Sequence, residues 1–130
     1  MDPIARLGEI RATVLPILEE VQAEYAPRVR QGYPRIIDNV ERGGVVGMNL
    51  DANFGVYFMT DGSDVYAELH TLALRTDTLS MANAEKFSGR PQHERVTIGA
   101  DWNDLSYRNL IARLLSAWNY QQLAIFRVDS

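Results

Sequence analysis

The chain contains no cysteine and a single lysine, Lys86. Disulfides, thiolate metal sites and cysteine nucleophiles are therefore excluded together. Schiff-base chemistry would rest on Lys86 alone, in a polar, loop-like setting without the desolvated pocket that a reactive lysine needs. The other twelve basic residues are arginines, a bias that coding preference explains as well as guanidinium chemistry does. No apolar run approaches the ~18–20 residues of a membrane span. Met1–Glu9 mixes charged and apolar residues where a secretory signal needs an unbroken apolar segment, so a cytoplasmic location is expected. Low-complexity tracts, repeats and long Gly/Ser/Pro linkers are missing too. These features give one globular domain spanning residues 1–130.

Recognisable chemical motifs are also lacking. The glycines form no GxGxxG or GxxxxGK phosphate loop, the serines sit in no GxSxG elbow, and the histidines in no HExxH zinc pattern. No cofactor and no metal are expected. Positive charge is scarce in one region: residues 43–77 carry Asp51, Asp61, Asp64, Glu68 and Asp77 against Arg75 alone. A phosphate-tracking surface needs the opposite sign, so neither nucleic acid nor membrane is an expected partner.

What is present is a pattern of elements. Asp2-Pro3 opens a long helix in which Ile4, Leu7, Ile10, Val14, Ile17, Leu18, Val21 and Tyr25 recur at helical spacing. Pro16 predicts a kink within it, and Pro27 its end. A short helix from Pro34, with Ile36, Ile37 and Val40 inward, is expected to stop at Gly43-Gly44; a strand over 35–40 competes with it because Ile and Val favour strands. Three strand-like runs follow, at 43–50, 54–60 and from Asp64 to Leu74. Residues 50–54 form the first connection and Asp61-Gly62 the second. Residues 76–93 read as loop, and 95–98 as a short edge strand. Tyr107, Leu110, Ile111, Leu114, Leu115 and Trp118 make one apolar helical stripe, capped by Asp101, Asp104 or Ser106. Leu123–Val128 reads as a closing strand. The expected fold is α+β and two-layered, with order α(α)-β-β-β-(β)-α-β: an antiparallel sheet of 4–5 strands covered by two long helices.

In element order alone the chain is similar to small partner-binding domains such as secretion-chaperone-like folds. A helix, three strands and a helix also resembles double-stranded-RNA-binding domains, but the acidic sheet and a pI near 5.1 oppose that reading. Order by itself assigns no function.

Candidate residues follow from the strand periodicity. Tyr66, Glu68 and His70 project from one strand face, where Glu68 can orient the imidazole; His93 is the only other histidine. The plainer reading is a solvated face opposite Val65, Ala67 and Leu69. Arg28, Arg30, Arg35 and Arg42 suggest an anion site, or arginines answering the negative end of the first helix. The 54–60 strand is bulky on both faces, with Phe54, Val56 and Phe58 against Tyr57 and Met59. Either helices cover both faces or the outer one meets a partner, with Trp102 and Tyr120 extending that surface. The leading expectation is a non-enzymatic protein-binding, adaptor or chaperone-like homodimer. The alternatives are a ligand-binding protein or enzyme with a His70/Glu68 cleft, and a nucleic-acid-binding domain.

Overall fold

A computed structural model describes residues 2–73 and 90–129. Helix α1 spans Pro3–Tyr25, strand β1 Arg35–Asn39, and the short helix α2 Val40–Gly43. Strands β2 (Val45–Asp51), β3 (Phe54–Thr60), β4 (Val65–Ala73) and β5 (Arg90–Thr97) follow, and helix α3 runs over Asp104–Asp129. The strands form one antiparallel meander in the order β1-β2-β3-β4-β5. The fold is α+β, as the element order predicts.

Local chemistry explains each element. The Asp2 carboxylate accepts from the Ala5 amide at 3.3 Å and Pro3 takes the first turn, where its missing N–H costs nothing. Pro16 lies inside one continuous helix that ends at Tyr25. Gly44, at φ +62°, closes α2 in the left-handed conformation that glycine adopts without a Cβ penalty. The β3–β4 turn is held by Asp61, whose Oδ1 accepts from the amides of Ser63 and Asp64 and from the Ser63 hydroxyl. At the start of α3, Asn103 supplies the cap in place of Asp101 or Asp104, with Ser106, the third residue expected there, as its partner. Its Oδ1 accepts from the Ser106 amide while the Ser106 hydroxyl accepts from the Asn103 amide, a reciprocal capping box.

Both long helices lie on the same side of the sheet. Arg11 of α1 makes two 2.6 Å hydrogen bonds to Asp38, which pairs with Val46 and shares its face. Arg113 of α3 reaches Glu94, which pairs with Leu69. Arg108 of α3 bridges to Glu20 of α1 at 3.0 Å. Between the layers sit Leu7, Val14 and Leu18 of α1, Val46, Met48, Val56, Phe58 and Ala67 of the sheet, and Leu110, Ile111 and Leu114 of α3, all buried. The Tyr107 ring meets Phe58 edge-on at 5.6 Å, tying α3 to the central strand.

Three expectations are corrected. Residues 35–39 are a strand, not a helix: Ile36 pairs with Met48 and Ile37 with Gly47, and this pairing outweighs the helical spacing of three apolar residues. Leu123–Val128 continues α3 in place of a closing strand, since no glycine or proline interrupts the chain after Asp104. The edge strand is longer than 95–98 and takes in 90–93, which the polar composition assigned to loop. The remainder of that expected loop, 76–89 with Lys86, lies outside the described residues, as do Arg75 and Asp77. Among the described residues no helix is long and apolar enough to cross a membrane.

Candidate functional site

With both helices on one side, alternation along the strands leaves the other sheet face uncovered among the described residues. Strand pairing sets three rows across it. Arg35, Asn49, Gly55, His70 and His93 form one; Ile37, Gly47, Tyr57, Glu68 and Arg95 the next; Asn39, Val45, Met59, Tyr66 and Thr97 the third. Tyr66, Glu68 and His70 therefore do share a face, opposite the buried Val65, Ala67 and Leu69. His93 joins them from β5 as the direct partner of His70.

Tyr57 is the centre of this surface. Its hydroxyl donates to Asn49 Oδ1, laying the ring along the sheet over two glycines. A Cβ at Gly55 would collide with the Tyr57 hydroxyl, and one at Gly47 would stand 3.1 Å from its ring. The glycines are thus where an aromatic ring rests on bare backbone. Burial pushes the Tyr57 hydroxyl above the ordinary phenol range, with Tyr33 and Glu68 adding to the effect, so it remains a donor at neutral pH.

An aromatic strip continues from Tyr57 to the sheet edge. The His70 ring meets Tyr57 edge-on at 4.8 Å and stacks on His93 at 3.8 Å, with planes 15° apart. His70 Nε2 lies 2.9 Å from Glu68 Oε1. Beside this strip the Arg95 guanidinium sits 3.6 Å over the Tyr66 ring, a cation–π contact, and 3.6 Å from Asp61.

The Glu68–His70 pair has the connectivity of an oriented acid–base group, but it stands on a sheet face and not in a recess. Three clefts, of about 690, 300 and 530 Å³, lie elsewhere on the molecule. Of the pair's cross-strand neighbours, His93 and Arg95 border the first of these, at a margin formed with Leu69 and Arg113 on the helix side. A metal ion is poorly served as well. Nitrogen lone pairs lie in the imidazole planes, so stacked parallel rings do not aim at one point. Among the described residues no three acids or histidines are arranged to hold a metal.

The remaining candidates are scattered. Met59 belongs to the uncovered face, beside Val45 and Tyr66. Trp102 instead packs edge-on against Tyr107 at 5.3 Å, by the start of α3, and Tyr120 is 62% exposed on that helix. Neither extends the surface made by Tyr57 and Met59. Of the four arginines, Arg28 and Arg30 line one cleft with Asp51, while Arg42 lines another beside Arg11. Arg28 lies over the rings of Tyr25 and Trp118 and donates to Asn119, Arg30 pairs with Asp51 at 3.1 Å, and Arg35 sits on β1.

Sequence reasoning missed Ile37, Val45, Asn49 and Arg95 as members of this face. A signal for two of them was present, because Val45, Gly47 and Asn49 alternate with the buried Val46, Met48 and Leu50 at period two. The acidic balance of residues 43–77 is also relocated. Asp51 and Asp61 lie at hairpin connections and are bound there, Asp64 adjoins the same turn, and Glu68 is the one acid of that stretch on the face among the described residues. Compared with known protein families, curated proteins and solved structures, this chain finds no match.

Proposed function

We propose that this chain is a cytoplasmic, non-enzymatic, protein-binding domain of adaptor or chaperone-like character, and that it pairs with a second copy of itself through the uncovered face of the sheet. One observation carries the reading: both long helices pack on one side of the sheet, and the other side presents Ile37, Val45, Tyr57, Met59 and Tyr66 with no element over it among the described residues. A sheet face that only meets water alternates to polar residues there. These five side chains are half-buried within the single chain, and apolar groups gathered on one face favour an interface, which a two-fold dimer most commonly covers.

The charge distribution supports the same reading. Pairing two copies of a net-negative sheet would bring like charges together, but the acids are at the turns and Glu68 has Arg95 as its cross-strand partner. Arg35 on β1 and Arg95 on β5 place positive charge toward both edges of the face, where it can meet the partner's acids without being buried deeply.

Light scattering at micromolar concentration tests this. The expected mass is twice 14.7 kDa for the natural chain, and 14.7 kDa for Met59→Arg with an unchanged far-ultraviolet spectrum. A mass of 14.7 kDa for the natural chain across the concentration range refutes the homodimer.

A further inference from the structure

We infer that pairing through this face is governed by protonation of the stacked His70–His93 pair, the dimer holding while both imidazoles are neutral and separating as they charge. The inference rests on the dimer reading above and adds its regulation. The two histidines are direct cross-strand partners with ring centroids 3.8 Å apart. Neutral imidazoles stack at that distance, whereas two imidazolium rings there are like charges held face to face. Imidazole is also the side chain whose ordinary charge change falls between about pH 5 and 8.

The surroundings decide what charging does. Glu68, 2.9 Å from His70 Nε2, is the carboxylate facing the pair. Arg95 lies two residues from His93 on the same face of β5, opposite Glu68 and within 3.6 Å of Asp61. On β3 the neighbours are Gly55 and the hydroxyl-bearing ring of Tyr57, with Asn49 of β2 and Arg35 of β1 farther along the row. On the opposite side, Arg113 of α3 lines the cleft that His93 borders and is paired there with Glu94; no other helix charge reaches the pair among the described residues.

Glu68 and Arg95, cross-strand partners, offset one another in charge. At acid pH each copy gains two positive charges beside Arg95, and Glu68 is the one carboxylate on the face to answer them among the described residues. Burial in an interface disfavours the charged form of an imidazole. The dimer therefore binds fewer protons than two separate chains, and by linkage association weakens as pH falls. Carboxylates ordinarily titrate near pH 4, below the window in which the imidazoles change.

Sedimentation equilibrium of the whole chain at about pH 8 and about pH 5.5 tests the inference, with far-ultraviolet spectra confirming the fold at both. The dissociation constant is expected to rise about tenfold or more on acidification. The His70→Gln/His93→Gln double variant, polar but without a titrating ring, is expected to pair at both values with a change of no more than about twofold. Single His93→Gln, on the exposed edge strand, checks the same point with less disturbance and should show a reduced response. A natural-chain constant that stays level or falls on acidification overturns the inference, as does a double variant with the full natural response. A dimer unaffected by pH overturns this inference alone, whereas a monomer at both values overturns the dimer reading and this one with it.

Discussion

Replacing Gly47 and Gly55 in turn by alanine separates two kinds of close approach on the uncovered face. A Cβ at Gly47 would overlap the Val56 carbonyl oxygen and stand 2.8 Å from the Tyr57 Cα. Both obstacles are backbone of the adjoining strand β3, so relief requires moving β2 away from it and weakening the ladder between them. Overpacking of this kind costs about 1–3 kcal/mol, and each backbone hydrogen bond lost adds about 1 kcal/mol. A Cβ at Gly55 meets chiefly the hydroxyl and Cζ of Tyr57, the far end of a side chain that can swing away, and it stands 3.0 Å from the Met48 carbonyl oxygen, which a shift of a few tenths of an ångström relieves. The loss there is the half-buried hydrogen bond to Asn49, worth about 0.5–1.5 kcal/mol. The stiffer unfolded chain of the alanine variant offsets about 0.4–1 kcal/mol of it. Gly47→Ala is thus expected to be clearly destabilised and Gly55→Ala to stay within about 1 kcal/mol of the natural protein. Urea unfolding reads both. With slopes of about 1–3 kcal/mol/M, the Gly47→Ala midpoint should fall by about a molar while that of Gly55→Ala barely moves. Equal midpoints, or a larger loss at Gly55, would refute the claim that backbone blocks one position and a movable ring the other.

Leu114 is fully buried between α3 and the sheet, so Leu114→Ala should lower unfolding free energy by about 2–5 kcal/mol; a loss under about 1 kcal/mol in urea would contradict the two-layer packing. The turn amides and the Ser63 hydroxyl hold the Asp61 carboxyl well below its ordinary 3.8, a depressed folded value, so its contribution is present above that pH and lost as pH falls through and below it. Asp61→Asn should therefore lose stability at neutral pH and show a shallower further loss on the acid side than the natural chain, read from urea midpoints at a series of pH values; parallel acid profiles would contradict the assignment.

The two long helices were legible in the chain because each carries one apolar stripe at helical spacing with a capping residue before it. The stripes from Leu7 to Tyr25 and from Tyr107 to Trp118 are buried as their spacing predicts, except that Leu115, like Ile4, is only partly buried, and Asp2-Pro3 opens α1. The three central strands were legible for the same kind of reason, since alternation at period two and Asp61-Gly62 are local signals. Residues 35–39 were ambiguous because an Ile-Ile pair suits either period, and only pairing with β2 selects the strand. At 90–93 the chain is polar, and its strand identity comes from the β4 edge it pairs with. At 123–128 β-branched residues suggested a strand, but an uninterrupted helix leads into them.

The candidate site divides along the same line. Periodicity alone put Tyr66, Glu68 and His70 on one face, because side-chain direction in a strand is a local property. That His93 stacks on His70, that Tyr57 lies over Gly47 and Gly55, and that Trp102 and Tyr120 belong to the helix layer all depend on cross-strand register and helix placement. The charge of the face changed for that reason too: composition counts the acids of residues 43–77 together, and folding sends Asp51 and Asp61 to the hairpin ends. Local order follows from spacing within a few residues, whereas the uncovered face is a product of contacts between residues distant in the chain, which no window of sequence contains.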